Sequence, residues 1–231
     1  MMLAADIPVT RKFPARAIHV EHDSGPLVFR PTLMTDADEI YDALLGSLAE
    51  LKAWMPWAHA ESSPTQQLER LREGEADYWT GAEMVMGLFQ GTSMLTMVGL
   101  HPRVPLNPNG LEIGYWAPTR YAGRGFTTLG VQVAIVYAFD KLGCERLQVS
   151  HDEANVASRR VIEKCGFERE GVARALTARP SEELVAGGLR WSGRHPQYAL
   201  FPDTFEALPW VSPLRARLRY ENIVGRLTPS S

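Results

Sequence analysis

Residues 111–167 limit the folds open to this chain of 231 residues more than any other stretch. A strand-like run, 111–116, leads through Arg120-Tyr121-Ala122-Gly123-Arg124-Gly125 into a helical pattern, and a strand at 146–150 and a second helix follow. A glycine-bearing turn between a strand and a helix leaves backbone N–H groups unpaired, and the helix dipole adds partial positive charge there. The turn is therefore suited to a pyrophosphate. An ordinary glycine turn with solvated arginines would carry the same residues.

Other phosphate-binding motifs do not fit this turn. A P-loop ends in Gly-Lys-Ser/Thr, whereas Phe126 follows Gly125 here. The dinucleotide-binding fingerprint requires a third glycine and a later acidic residue, and the third glycine is absent. Nothing in the chain resembles the set of kinase catalytic motifs. The pattern that is left is Arg-x-x-Gly-x-Gly.

The remaining elements predict an α/β fold with one mixed sheet. Apolar runs bounded by turn residues predict strands at 17–21, 27–30, 84–89, 94–100 and 197–201. Thr35 and Asp38 resemble a capping box that opens one helix, which Pro56 ends, and Ser63 opens a second helix running to about Tyr78. Two helices ahead of a three-strand meander exclude a doubly wound alternation. With no repeat and no linker, we expect a single domain over residues 1–231.

Composition excludes several classes of protein. Hydrophobic residues make up 45% and charged residues 22% of the chain, both close to globular averages. No apolar run reaches the length of a membrane span, and the first residues lack the pattern of a signal peptide. Cys144 and Cys165 are too few for a disulfide framework and lack metal-ligand spacing. We therefore expect a cytoplasmic protein without a metal site or a membrane partner.

The distribution of charge is more informative than its sum. The net charge of −3 argues against direct nucleic-acid binding. Between residues 36 and 83, eleven acidic residues accompany three basic ones, a local net charge of −8. Such a region could steer a cationic ligand toward the protein. Two solvated helix faces would give the same count, so both interpretations stay open.

Three segments together resemble the GNAT N-acetyltransferases, and the Arg-x-x-Gly-x-Gly turn is the first of them. Residues 155–167, an Asn-capped helix ending in Glu-Lys-Cys-Gly-Phe, resemble the next signature of the family, and residues 112–116 resemble its fourth strand. Residues 51–57 are similar to a segment of the ribosomal-protein (RimJ/RimL-like) branch. The resemblance covers residues 27–201. It leaves out an N-terminal extension, an insertion at 178–193 that we expect to be a loop, and a basic tail from Ser212 that we expect to be peripheral.

The resemblance implies the GNAT fold, a mixed and mostly antiparallel central sheet that is split between its fourth and fifth strands and flanked by helices. It also implies acetyl-CoA as cosubstrate, a primary amine as acceptor and no metal. Carried over onto this sequence, the cofactor contacts would fall on the fourth strand, the turn and the Asn-capped helix: Ile113, Gly114, Tyr115, Arg120, Tyr121, Ala122, Gly123, Arg124, Gly125, Phe126 and Asn155.

The resemblance also assigns catalytic roles. Glu112 would be the base, directly or through water, although a surface carboxylate on a strand would look the same. Many relatives carry a proton-donating tyrosine seven residues after the asparagine, but Ile162 occupies that position here. In the RimJ/RimL-like branch a serine at the position of Ser158 is thought to protonate the thiolate; a hydroxyl bonded back to a helix carbonyl is the alternative. His151 is a weaker candidate for this role.

The acceptor is the least constrained part of the prediction. Trp54, Trp57 and Tyr78, with Trp79 beside them, belong to elements that line the acceptor side in this family, so we expect them to contact the substrate unless they are core residues. The resemblance favours a protein or peptide N-terminal α-amine, acetylated by direct transfer in a ternary complex. A small-molecule amine, such as an antibiotic, amino acid or polyamine, and a non-catalytic acyl-CoA-binding module are the alternatives, and a homodimer is left open.

Overall fold

A computed structural model describes residues 15–60, 63–105 and 107–222, together with the backbone of 227–229. The N-terminal extension up to residue 14, the last residues of the tail and positions 61, 62 and 106 lie outside the described residues. One sheet of ten strands organises the chain, in the order β10-β9-β1-β2-β3-β4-β5-β6-β8-β7. The strands are β1 (Ala17–Val20), β2 (Leu27–Pro31), β3 (Met84–Gln90), β4 (Ser93–His101), β5 (Gly110–Trp116), β6 (Arg146–Ser150), β7 (Glu168–Arg174), β8 (Arg194–Leu200), β9 (Leu218–Glu221) and β10 (Leu227–Pro229).

Helices cover both faces of the sheet. They are α1 (Ala37–Leu45), α2 (Leu48–Lys52), α3 (Pro64–Thr80), α4 (Phe126–Asp140), α5 (Val156–Cys165), α6 (Glu182–Ala186), α7 (Pro202–Glu206) and α8 (Val211–Ala216). Phe89 and Met94 pack with residues of α1 and α3 on one face, whereas Leu88 and Val98 pack with α4 on the other. Leu88 and Phe89 alternate because of the twofold side-chain period of a strand. A β-bulge in the β3–β4 ladder at this point places Met94 and Val98, four residues apart, on opposite faces. None of the helices described is long and apolar enough to cross a membrane.

The pairing of β5 with β6 gives the sheet its opening. These two strands form a parallel ladder that joins Gly110–Glu112 to Arg146–Gln148 and then stops, whereas β5 stays paired with β4 as far as Trp116. From Ile113 onward the strands separate. The predicted fold class is confirmed: a mixed, mostly antiparallel sheet, split between the strand before α4 and the strand after it.

The first predicted helix is wrong in its extent and its cap. The structure has two helices, because α1 ends at Leu45 and Ser47 leaves the helical path. The hydroxyl of Ser47 donates to the carbonyl of Ala43 at 2.6 Å and accepts the N–H of Thr119 at 3.0 Å, which fixes the break. The capping box at Thr35 and Asp38 does not form. Instead the carboxylate of Asp36 accepts two hydrogen bonds from the Arg30 guanidinium, at 2.7 and 2.9 Å, and one from the N–H of Leu33.

The tail from Ser212, which we expected to be peripheral, is part of the fold. Helix α8 and strand β9 belong to the fold, and β9 pairs with β1, so that Leu218 is completely buried. Arg215 forms bidentate bonds to Asp140 and also pairs with Glu206, and these bonds raise its pKa. The sequence hides this element because basic residues alternate with the apolar ones that enter the core. The insertion at 178–193 likewise contains helix α6.

If β9 completes the core, Leu218→Ala should lower the free energy of unfolding by about 2–5 kcal/mol, the usual cost of truncating a buried leucine. Leu176→Ala is the matched control, since that side chain is 53% exposed, and it should stay within about 0.5 kcal/mol of the parent. Urea denaturation followed by tryptophan fluorescence measures both. Equal, small effects would mean that the tail does not contribute to the core.

Candidate active site

Three spaces border the end of β5, where this strand has diverged from β6. The loop groove, about 560 Å³, lies between α2, the turn before α4 and the exposed side of α5. The insertion cavity, about 590 Å³, lies between β5, β6 and residues 177–191. The helix cavity, about 520 Å³, lies between α1, α3 and strands β3–β5. Tyr115 lines all three, so the end of β5 is the point where they meet.

The turn before α4 has the geometry of an anion site. Gly123 and Gly125 adopt φ angles of +74° and +86°, which L-residues with side chains rarely adopt. Gly125 is the N-cap of α4 and offers no side-chain acceptor, so the first N–H groups of that helix have no cap. A Cβ placed on either glycine would meet no atom within 4 Å. The backbone of this turn therefore borders open space, where a pyrophosphate could reach the N–H groups.

The two arginines of the turn do not line the loop groove. Arg120 pairs with Glu39 of α1 and lies over the ring of Tyr121, with 5.2 Å from its guanidinium carbon to the ring centroid. Arg124 lies 5.7 Å from the same ring centroid. Tyr121 and Phe126 contact each other edge to face at 6.3 Å and support the turn from behind. Ala122, Gly123 and Gly125 line the groove, as do two cations that sequence reasoning missed, Arg160 and Lys164.

The unpaired edge of β5 carries the next group of predicted residues. Ile113 is buried in the core that contains α4, whereas Gly114 lines both the insertion cavity and the helix cavity. Glu112 lines the insertion cavity, and its Oε2 accepts a bond from Gln148 Nε2 at 3.3 Å. The backbone of Ile113–Tyr115 has no strand partner on the β6 side in the part of the chain that the structure describes.

Ser158 faces Tyr115 across the split. Asn155 caps α5, because its Oδ1 accepts the N–H of Ser158 at 3.0 Å. The Tyr115 hydroxyl lies 2.9 Å from Ser158 Oγ and 3.2 Å from the Ser158 carbonyl oxygen. Burial raises the pKa of Tyr115, so the phenol keeps its proton near neutral pH. Sequence reasoning gave Tyr115 only a backbone role, and no local pattern signals this contact between residues 43 positions apart.

The three aromatic residues predicted for the acceptor side lie in different places. Trp54 lines the loop groove and the insertion cavity, 5.4 Å from the guanidinium of Arg190. Trp57 lines the helix cavity and contacts Trp116 edge to face at 6.3 Å. Tyr78 is not brought to these spaces: it is a core residue, 1% exposed, and its hydroxyl donates to the carbonyl of Ala15 at 2.6 Å.

The insertion forms a roof over one end of the split, which sequence reasoning missed. The N–H of Arg190 donates to the carbonyl of Ala53 at 2.9 Å, which ties the insertion to the end of α2. Two buried histidines, His151 and His195, line the cavity beneath it. His151 Nδ1 lies 2.6 Å from the carbonyl oxygen of Asp152 and its ring stacks on Tyr198. Among the described residues, no group of three His, Cys, Asp or Glu side chains is arranged to hold a metal ion.

Comparison with known families identifies the class of protein that this arrangement defines. Residues 27–168 match the acetyltransferase (GNAT) domain, so the match covers more than half of the chain. The chain belongs to the GNAT acetyltransferase family, and the resemblance drawn from its motifs is confirmed. It is an acetyltransferase whose relatives are named N-acetyltransferases.

Three individual proteins illustrate this similarity. The chain is 32% identical over 143 residues, 60% of its length and 76% of the relative's, to the putative ribosomal N-acetyltransferase YdaF of Bacillus subtilis. A crystal structure described as a probable acetyltransferase is 26% identical, with a TM-score of 0.64 over 77% of this chain and 93% of that one. RimJ of Mycobacterium smegmatis, solved in complex with CoA-disulfide, has a TM-score of 0.70 at 18% identity, over 88% and 95% of the two chains.

If the turn before α4 binds a pyrophosphate, Gly123→Val and Gly125→Val should each weaken CoA binding by roughly tenfold or more, equivalent to at least about 1.4 kcal/mol. The side chain would block the approach of the phosphate oxygens and strain a positive φ. Gly143→Val is the matched control, because Gly143 also has a positive φ (+69°) and open space but lies beyond the other end of α4. Calorimetry measures the affinities. A loss shared by the control would point to strain rather than to the site.

Proposed function

We propose that this protein transfers the acetyl group of acetyl-CoA to a protein or peptide N-terminal α-amine. The observation that carries the proposal is the end of the β5–β6 ladder at Glu112, after which β5 runs on to the groove that the uncapped N-terminus of α4 also borders. The separated strands offer an unpaired backbone edge for amide groups, and the helix N-terminus offers N–H groups for phosphates. Acetyl-CoA combines both, as a pantetheine arm followed by a pyrophosphate.

The residues present fit this cosubstrate along its length. The pyrophosphate would bind the N–H groups that follow Gly123, and the pantetheine amides would pair with the edge at Ile113–Tyr115. Arg160 and Lys164 line the same groove and add positive charge for phosphate oxygens. Asn155 would reach the pantetheine arm with its amide nitrogen, because its oxygen already caps α5.

The reaction requires a base, an oxyanion site and an acid. In the proposed mechanism the neutral amine nitrogen attacks the thioester carbonyl carbon, and Glu112, directly or through one water, removes the proton that this nitrogen loses once the adduct has formed. Backbone N–H groups of the β5 edge stabilise the oxyanion that forms. When the tetrahedral adduct collapses, the C–S bond breaks and Ser158 Oγ gives its proton to the thiolate. The Tyr115 hydroxyl supports this step by position, because it donates to the Ser158 carbonyl and lies 2.9 Å from Ser158 Oγ, and so holds the serine at the split.

Charge and relatives support a cationic peptide as the acceptor. YdaF and the RimJ structure are both similar to this chain. The first of them is described as a putative ribosomal N-acetyltransferase. The acidic stretch 36–83 lies mostly on α1, α2 and α3, although three of its carboxylates are paired with arginines: Asp36 with Arg30, Glu39 with Arg120 and Glu83 with Arg103. The carboxylates outside these pairs would attract an ammonium group, and Trp54 and Trp57 offer aromatic faces beside it.

A small-molecule amine is the second candidate acceptor. The observation that favours it is the roof formed by the insertion, which closes one side of the cavity that Glu112 lines. A roofed cavity suits a compact ligand better than a protruding polypeptide.

Removal of the Glu112 carboxylate tests the proposed base. Glu112→Gln should lower kcat by about 10²–10⁴-fold, the usual contribution of general base catalysis, while CoA affinity stays unchanged. Glu168→Gln is the matched control, because it removes an exposed carboxylate from strand β7, and it should leave kcat unaltered. Steady-state release of CoA thiol measures turnover. A Glu112→Gln enzyme with full activity would remove this residue from the mechanism.

Ser158→Ala should also lower kcat, but by less than Glu112→Gln, because water can replace a hydroxyl as proton donor. The same thiol-release assay measures the effect, with CoA affinity as the check that the groove is intact. Full activity on a good acceptor would assign the protonation of the thiolate to solvent or to another group.

The acceptor class is tested with short peptides that have a free N-terminus, the same peptides blocked at the α-amine, and a set of polyamines and aminoglycosides. We expect acetylation of the free peptides and loss of the product when the α-amine is blocked, as measured by mass spectrometry and kcat/KM. If only the small amines react, with kcat/KM well above that of every peptide, the second candidate is correct.

A further inference from the structure

A histidine that the mechanism above does not use lies beside the reacting end of the split. In the β4–β5 ladder, His101 is the partner of Glu112 and Gly99 is the partner of Gly114. Directly opposed residues on neighbouring strands share a face of the sheet. The imidazole of His101 and the carboxylate of Glu112 therefore lie on the same face, one strand apart.

Two glycines make room for this imidazole. A Cβ placed on Gly99 would lie only 2.4 Å from His101 Nε2, so the ring occupies the space that a side chain at 99 would fill. A Cβ on Gly114 would lie 3.7 Å from the same nitrogen. Nε2 is thus held against the backbone of β5 at the residue where its edge is already unpaired, and His101, Gly99 and Gly114 all line the helix cavity.

The second ring nitrogen faces a carboxylate. His101 Nδ1 lies 3.2 Å from Glu83 Oε2, a close approach without hydrogen-bond geometry, and the other oxygen of Glu83 pairs with Arg103. The negative charge of Glu83 beside Nδ1 favours the tautomer with its proton on that nitrogen, which leaves Nε2 as a proton acceptor. A histidine oriented by a carboxylate is the arrangement used for general bases in several enzyme classes. The histidine side chain is 18% exposed, so the pair is partly shielded from water.

Glu112 and His101 line different spaces on either side of Gly114. Glu112 lines the insertion cavity and His101 lines the helix cavity. An amine held in the helix cavity would therefore lie beside His101, with Gly114 of the unpaired edge lining the same space. The walls of that cavity, which include Trp57, Trp116 and Leu71, suit the apolar part of such an acceptor.

Acetylation of an ammonium group removes two protons from the nitrogen, and each proton can be taken by a separate base. We propose that His101 Nε2 takes the first proton, from the alkylammonium in the helix cavity, and that Glu83 is its positioning residue. This inference rests on the proposed function. The neutral amine then attacks the thioester carbon, Glu112 takes the second proton from the tetrahedral adduct, and the C–S bond breaks.

The protons balance over one turnover. Ser158 protonates the thiolate and is reprotonated, through solvent, by the proton held on Glu112. The imidazolium of His101 releases its proton to water. The sum is one alkylammonium and one acetyl-CoA consumed, and one amide, one CoA thiol and one proton formed.

The test compares acceptors that arrive charged with acceptors that arrive neutral. A glycyl peptide carries an ammonium group near neutral pH, whereas the same peptide with an aminooxyacetyl group in place of the glycine is uncharged. Propylamine and ethoxyamine form the corresponding small-molecule pair. His101→Gln should lower kcat/KM for the ammonium acceptor by about 10²-fold and for its neutral counterpart by less than about fivefold, since the neutral amine has no first proton to lose.

Three further variants keep the test specific. Gly99→Ala should reproduce the selective defect, because its Cβ displaces the imidazole, and added imidazole should partly restore the ammonium rate of His101→Ala. His19→Gln is the matched control: His19 is also a strand histidine paired with a glutamate, 2.9 Å from Glu221, and it lines none of the three spaces. Its kcat/KM for both acceptors should equal that of the parent.

The outcomes separate this inference from the proposed function. If the parent enzyme acetylates an amine and His101→Gln reduces both acceptors equally, or neither, His101 is a structural residue and the inference is wrong. If the parent acetylates no amine, peptide or small, the proposed function itself fails and this role falls with it. An intact CoA affinity in His101→Gln excludes loss of the fold as the cause of a defect.

Discussion

The end of the β5–β6 ladder is the constraint on which the rest of the site depends. Three residue pairs join these strands, and after Glu112 the backbone of β5 has a strand partner on one side only within the described part of the chain. The chain after β6 bonds instead to residues at the start of β8. The N–H of Glu153 donates to the carbonyl of Arg194, and the Asp152 carboxylate accepts the N–H of Ser192 at 2.7 Å. Since backbone polar groups strongly favour a partner, the exposed edge that results is a natural place for a ligand with amide groups.

Strand β5 supplies both halves of the candidate site because its side chains alternate. Ile113 and Tyr115 face the side covered by α4 and α5, where Tyr115 meets Ser158. Glu112 and Gly114 face the other side, toward the spaces in which an acceptor would lie. Gly114, which has no side chain, lines both the insertion cavity and the helix cavity. One short strand thereby brings the groups proposed for cofactor binding and for proton transfer within a few residues.

Local rules explain why much of this fold could be predicted. Positive φ angles at Gly123 and Gly125, the Asn155 cap of α5 and the capping box of Ser63 with Gln66 each depend on residues close in sequence. The features that escaped prediction depend on distant partners. Arg120 turns to Glu39, 81 residues away, and β9 pairs with β1 across nearly the whole chain. The apolar residues of β9 alternate with arginines in the sequence, and the partners of these arginines are apparent only in the folded protein.

In the candidate site, too, some features depend on local sequence and others on distant partners. The turn, Glu112 and Ser158 come from motifs, whereas the contact of Tyr115 with Ser158 requires the two sides of the split to face each other. Tyr78 could not be separated from Trp54 and Trp57 by composition, because the choice between core and cavity depends on which helix face the sheet covers. His101 becomes visible only through the β4–β5 register, which places it opposite Glu112.

Hydrogen exchange of the backbone amides, with and without CoA, tests the central claim most directly. If the separated edge of β5 and the turn before α4 hold the cosubstrate, CoA should slow exchange in peptides that cover Ile113–Tyr115 and residues 123–128. Exchange in β1 and β9, which lie at the far side of the sheet, should not change. Protection that leaves both the β5 edge and the turn unaffected would contradict the account.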